Sequence, residues 1–488
     1  MSVRRLCAVL AIAACVPTLV VAQQAAGGRC NIELKAGSDS TRLNTTSPTA
    51  DGPRNVFVGG RVIARCLNQD VSLVADSAEW YQQAQVLYLL GNVRYTEPRV
   101  RVSSDQMNYF QVDERLIAIG HVEATLPSSS VMRGDSATYY RAVRGIRPQS
   151  RLVAQNRPRL FLAQRDSAGK PGEPVQVTAN QITTENDSIV YAGGKVEITR
   201  SDLDARSDSA LLDSGREFAR LMIQPVIIGK GERGYTLRGR QVELYTRNRV
   251  VQRVLAQAEA RVTSDDMLLT ADTIDLRVDG NKAQAAYIWG KSRARAISPD
   301  RDLIADSLAV RMPDQQMREL RAFGEAVATT IPDTASIRSG EKDWLKGDTI
   351  YAFFDSTARA PRPPTSDTTT ARPQLREMQS IGHASARYQV SAQGGTPARP
   401  GINYSRGERI TVSLDSTGVS RVQIDQNAVG VYLEPVLDSA SSLTLPNGGP
   451  VRPPLDTPPP APTTPAPAAG RPAVKPAAVT PRTIPGRP

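Results

Sequence analysis

The chain has 488 residues, 60 Lys+Arg against 49 Asp+Glu, a formal net charge of +11, 40% apolar residues and 5% aromatics. That length holds about three average domains, and an apolar fraction below the usual range of roughly 45–50% excludes one fully globular body. The 35 prolines and 35 glycines therefore belong largely to turns and linkers.

At the N-terminus, Arg4-Arg5 precede an apolar run from Leu6 to Val21, which ends in Val20-Val21-Ala22 before Gln23. A basic start, a short apolar core and a small residue at the cut describe a secretory signal over 1–22 rather than a membrane span. A rival cut at Ile12-Ala13-Ala14-Cys15 resembles a lipoprotein box and would leave Cys15 as a lipidated terminus. The continuation of the apolar run through Leu19-Val20-Val21 favours cleavage after Ala22. No later segment has the roughly 18 consecutive apolar residues of a membrane helix, so an exported, soluble chain is expected. Export leaves two of the four cysteines, Cys30 and Cys66, and such a pair reads as a disulfide.

From there the chain repeats itself. One half-motif is a polar residue, usually Asp, followed by alternating apolar residues: Asp76 in "ADSAEW", Asp105 in "SDQMNY", Asp135 in "GDSATY", Asp208, Asp272, Asp306 and Asp348. The other is a Gly followed by an alternating strand, at Gly60, Gly91, Gly120, Gly194, Gly290, Gly324 and Gly382. The halves alternate at intervals of about 30 residues, the length of two short strands and a turn, so each unit is expected to be a β-hairpin with its Asp at a strand start.

Side chains alternate with period two along a strand. After the Asp slot this puts Ala78 and Trp80, Met107 and Tyr109, and Ala137 and Tyr139 on one face; around the Gly slot it adds Leu87, Leu89, Val93 and Tyr95, then Leu116, Ala118, Val122 and Ala124. Intervening positions are mostly polar, with Ile117 and Ile119 as exceptions. The fold class is therefore all-β: an elongated antiparallel body of about ten hairpins in two facing sheets, with open edges at both ends. "MPDQQMRELRAFGEA" has some helical propensity, but Gly324 and the repeat phase argue for strand. Arg151–Pro174 and the Pro/Thr-rich Ser356–Pro373 look like loops inserted in the repeat. A clearer repeat set fills 23–227 and a more divergent one 228–434. The segment 435–488 holds 16 of the 35 prolines and reads as an extended, disordered tail. The signal carries +2 and the tail +3 of the net +11, leaving +6. A mild excess over about 400 residues is no nucleic-acid footprint, although it favours an anionic ligand or surface.

Chemistry is sparse. His121 and His383 occupy the same slot of the repeat, which reads as a strand position rather than a metal pair. Gly134-Asp135-Ser136 has the look of a hydrolase nucleophile block, but Asp-Ser or Asp-Thr recurs in other repeats, so a structural role explains it. No calcium-loop spacing, phosphate loop or two-cysteine metal motif is present. Neither cofactor nor metal is expected.

The stretch Ala75–Leu126, "ADSAEWYQQAQVLYLLGNVRYTEPRVRVSSDQMNYFQVDERLIAIGHVEATL", resembles the OstA-like, or LptA-type, repeat of lipopolysaccharide transport proteins. The rhythm returns in "TANQITTENDSIVYAGGKVEITRSDLDARSDSALL", is close from Asn55 to Leu212, and loosens towards Glu434. The resemblance implies a β-jellyroll, a groove for lipid A acyl chains, and a non-enzymatic periplasmic bridge towards the outer membrane. It also implies edge-strand pairing with related domains of inner- and outer-membrane components, and head-to-tail self-association. The groove residues would be Trp80, Leu87, Leu89, Val93, Met107, Tyr109, Leu116, Val122 and Tyr139, with Arg94, Arg99, Arg101 and Arg133 holding phosphates at the rim. A structural or adhesive β-rod without lipid cargo is the alternative.

Overall fold

In the computed structural model the described residues run from 28 to 437, apart from interior stretches of which 356–373 is the longest. The expected signal at 1–22, the loop at 356–373 and the tail beyond 437 lie outside them. The described chain is an all-β antiparallel jellyroll in which 28 strands join one sheet. It opens with β1 (Ile32–Ala36), β2 (Arg42–Thr46), β3 (Asn55–Cys66), β4 (Ser72–Tyr81), β5 (Val86–Thr96), β6 (Arg101–Phe110), β7 (Arg115–Thr125) and β8 (Val131–Tyr140).

From β3 to β8 the strands form a meander, each paired with the next. The Asp slot does not start a strand: Asp76 and Asp105 sit in the middle of β4 and β6. The expected short hairpin strands are instead strands of about twice that length, each bent at its middle. The bend has a local cause. Gly91 and Asn92 both have positive φ (76° and 46°), as do Gly120 and His121 (79° and 42°), and two successive left-handed residues form a bulge in the strand. The ladder between β5 and β6 runs Leu90↔Gln106 and then Val93↔Ser104, so two residues of β5 oppose Asp105 alone. The bulges at Gly91, Gly120, Gly290, Gly324 and Gly382 lie against Asp76, Asp105, Asp272, Asp306 and Asp348 of the strands before them, and Gly194 lies against Asn180. A Cβ on Gly120 would lie 2.9 Å from Asp105 Cβ and Cγ, and one on Gly91 3.0 Å from the same atoms of Asp76. Only glycine fits there, because both the backbone angle and the space exclude a side chain.

These corners divide the sheet into two arms. The first contains β2 and the half-strands of β3–β8 that pair with it or with one another, such as Val86–Leu90, Gln106–Phe110 and Arg115–Ile119. The second contains β1 and the other halves, such as Val93–Thr96, Arg101–Ser104 and Val122–Thr125. On the Asp strands the buried phase flips at the corner: Val102 and Ser104 are buried before Asp105, Met107 and Tyr109 after it. On the Gly strands the extra residue restores the phase, and Leu87, Leu89, Val93 and Tyr95 are all buried. The inward residues before each Asp, including Leu73, Ala75, Leu269, Ala271, Leu303 and Ala305, were not evident from the repeat phase alone.

The described residues of Arg151–Pro174, all but 166–170, do not form an inserted loop. Left-handed Asn156 and Arg157 followed by Pro158 break the chain into short strands, each serving one arm. Arg151–Gln155 extends the first arm beside β8 and Arg159–Arg165 extends the second. The same device recurs around Val226–Gly229, a strand that contains the 227/228 boundary between the repeat sets. "MPDQQMRELRAFGEA" forms a single 3-10 turn at Pro313–Gln315 and then the strand Glu319–Thr330. Val436–Leu437 form a two-residue strand with Pro397–Arg399, so residues just after 434 do supply a short pairing.

The buried side chains make one hydrophobic cluster from Cys30 to Ile410. The outer surface is polar with apolar islands. Tyr88, Leu90 and Ile119 stand outward on the first arm, as do Tyr287, Trp289 and Phe323 further along.

Candidate functional site

The interior between the arms is the candidate site, and all nine groove residues turn towards it. Trp80, Leu87, Leu89, Met107, Tyr109, Leu116 and Tyr139 come from the first arm; Val93 and Val122 come from the second. Leu87, Leu89, Val93, Met107, Tyr109 and Leu116 are 0% exposed, Val122 2% and Tyr139 3%; Trp80 is partly buried against them. Alternation brings them together because each is two residues from the next inward neighbour on its strand. An open hollow of about 290 Å³ lies beside β2, lined by Leu43, Asn44, Phe57, Val58, Ala78 and Glu79 among others.

The four rim arginines are exposed. Arg94, Arg101 and Arg133 lie on strands of the second arm, and Arg99 in the turn between β5 and β6. Arg94 and Arg133 stand in one cross-strand row, Arg94↔Ser103↔Glu123↔Arg133. Arg133 donates to Glu123 Oε2 at 2.8 Å and lies 5.3 Å from the Phe161 ring centroid. The row faces outward from the second arm, away from the nine inward side chains.

The mouth of the fold, opposite the corners, carries a polar cluster that the sequence reading missed. Glu97 ends the inward phase of β5 after Val93 and Tyr95; Glu114 precedes Leu116; Arg141 follows Tyr139. Each is thus a charged residue continuing an apolar series at a strand end, and that phase was the available signal. Glu114 is 0% exposed and Arg141 4%. Arg141 Nη1 donates to Glu114 Oε2 at 2.7 Å, Nη2 to Gln69 Oε1 at 2.8 Å, and Nε to Glu97 Oε2 at 3.4 Å. Tyr95 donates its phenol to Glu97 at 2.9 Å, Tyr139 donates to the other Glu97 oxygen, and Tyr109 donates to Glu114. The Tyr95 and Tyr139 rings, one from each arm, stand 5.9 Å apart. Burial, and then the Glu114 charge, push the Tyr109 phenol well above its ordinary pKa, so it stays protonated and acts as the donor. Burial also pushes Tyr95 up.

Cys30 and Cys66 form a disulfide with a sequence separation of 36. It fastens the segment before β1 to the end of β3, which pairs with β1 from Ile32↔Cys66 to Ala36↔Val62. From there the Cys30 N–H donates to Glu114 Oε1 at 2.6 Å, and Gln111 Nε2 donates to Cys30 O at 3.4 Å. Gln111 in turn accepts from Trp80 Nε1 at 3.2 Å.

The histidines lie in the corners. His121 Nδ1 is 2.8 Å from Asp105 Oδ2, and His383 Nδ1 is 2.9 Å from Asp348 Oδ2. The hydrogen bond and then the charge of each Asp raise the pKa of its histidine. Asn92 fills the equivalent place against Asp76 at 2.8 Å. Ser136 sits on β8 opposite Ile119 and Gln155, neither of which is a base. Among the described residues no three His, Cys, Asp or Glu side chains are grouped as metal ligands, and no helix is long and apolar enough to cross a membrane. No protein-family model matches the chain, and no curated protein matches it.

Proposed function

We propose that this chain is a non-enzymatic, lipid-binding bridge of the periplasm, which carries lipopolysaccharide or a similar anionic lipid towards the outer membrane with its acyl chains between the two arms. The observation that carries this reading is the continuous apolar interior of one folded sheet. Apolar area removed from water there gains about 25 cal/mol per Å², without any requirement for directional contacts. Exposed edges support the bridging role: every residue of β2 is exposed at one end, and every residue of Val429–Leu433 at the other. Related β-jellyroll domains at either membrane, or further copies of the chain, would pair with these edges. The outward row of Arg94 and Arg133 would meet lipid phosphates only from outside the second arm.

The test is a photocrosslinker at Leu116 or Ile117, adjacent residues of β7. Leu116 is fully buried and Ile117 lies on the opposite face. Lipid adducts at Leu116 and none at Ile117 are the expected result; adducts at neither position overturn the reading. A structural rod without cargo is favoured by one observation, the complete burial of six of the nine groove side chains. In that case purified protein takes up no acyl probe and assembles through its edges alone.

A further inference from the structure

We infer that the mouth of the fold across β3 to β8 is a gate, held shut by a releasable clasp centred on Arg141, and that opening it about the Gly–Asp corners gives side access to the apolar interior. The gate itself follows from geometry; the statement that lipid passes through it rests on the carrier reading above.

Three observations point this way. The first is where the contacts lie. Arg141 follows β8 on the first arm, and its guanidinium reaches Glu97 and Gln69, in the turns that end the second arm. Tyr139 of the first arm also reaches Glu97. The second is the strap. Cys30 is bonded covalently to Cys66 of the second arm, but its contacts with the first arm are the hydrogen bonds to Glu114 and Gln111. Separating the arms here therefore breaks side-chain hydrogen bonds and the Tyr95–Tyr139 ring contact, while the strap stays with the second arm. The third is the opposite side, where the Gly strands β5 and β7 turn through paired left-handed residues, Gly91-Asn92 and Gly120-His121, which gives each of these two strands a defined place to flex.

The chemistry suits a gate better than a plug. A buried ion cluster adds less to stability than apolar side chains of the same volume, because desolvation offsets its attraction. Opening rehydrates Arg141, Glu97 and Glu114 together and so recovers that cost, whereas opening an apolar plug recovers nothing. Removing the Glu97 charge weakens the hold of Arg141 and Tyr139 on the second arm, with the Gln69 bond and the strap still in place, and leaves Arg141 paired with Glu114, so the first arm keeps its own contacts.

The experiment uses the full chain with its native disulfide and with Cys7→Ser and Cys15→Ser, so that it carries one reporter thiol: Met107→Cys inside the gated section, or Ile288→Cys inside the later strands. Both positions are 0% exposed. Glu97→Gln is expected to raise the rate of maleimide labelling at the Met107→Cys thiol tenfold or more and to leave the Ile288→Cys rate unchanged. Arg141→Lys, which keeps the charge but loses the guanidinium fork, is expected to fall between. An unchanged rate at Met107→Cys, or an equal rise at both positions, overturns the gate. Uptake of a pyrene-labelled fatty acid by the same proteins separates the two readings. Faster labelling with faster uptake supports both. Faster labelling without uptake in any variant keeps the gate and removes the carrier, and uptake without a change in labelling does the reverse.

Discussion

Replacing Gly120 with alanine tests the corner that shapes the sheet. Gly120 has φ 79°, and a side chain in the left-handed region costs about 1–2 kcal/mol. The new Cβ would also meet Asp105 Cβ and Cγ at 2.9 Å, with Oδ2 closer still, and crowding of this kind adds about 1–3 kcal/mol. The sum is about 2–5 kcal/mol. Gly145 is the control: its φ is 83° and nothing lies within 4 Å of its added Cβ, so Gly145→Ala should cost only the backbone term of about 1–2 kcal/mol. Urea unfolding of the full chain followed by circular dichroism measures both. Adding Asp105→Ala to Gly120→Ala removes the carboxylate from the collision, so the two changes should be less costly together than their sum, with a coupling of about 1 kcal/mol or more. Equal costs at Gly120 and Gly145, or strict additivity with Asp105→Ala, would refute the close approach of Asp and Gly as the reason for the glycine.

Arg141→Met leaves Glu114 buried without its cation and should destabilise by about 3–5 kcal/mol; pairing it with Glu114→Gln should recover part of that in the same urea assay. Opening the Cys30–Cys66 bond releases a loop of 36 residues, worth about 4 kcal/mol on the chain-entropy account, and hydrogen exchange should show the loss first in β1; intact mass two protons above the oxidised form would show that the bond is absent. The raised pKa values of His121 and His383 predict a stabilising contribution fully present below the unfolded value of about 6.5 and lost as pH rises through the folded values. NMR titration should find both histidines above that value, and His121→Asn, which copies Asn92, should remove the His121 part of the dependence. A His121 titration at or below about 6.5 would contradict the pairing with Asp105.

Much of the fold was legible because β-structure writes its period into the chain. The alternation of Leu87, Leu89, Val93 and Tyr95 marks one inward face, and Cys30 and Cys66 were the pair left after the signal. The meaning of the Asp and Gly slots was less legible. Both looked like strand starts, since a polar residue followed by alternation has the same local pattern whether a strand begins there or bends there. The distinguishing sign was the phase before each Asp, as in Val102 and Ser104 against Met107 and Tyr109.

The sequence by itself determined the all-β class, the inward side chains after each corner and the disulfide partners, because these depend on residues close in the chain or on elimination. Tertiary structure alone decided that Asp105 meets Gly120, that Arg151–Pro174 divides between two arms, and that Arg141 reaches Glu97 and Glu114. Those contacts join residues from 15 to 44 positions apart, and their partners are chosen by strand register and by the fold of the sheet, which bring together strand ends that carry no mark of one another.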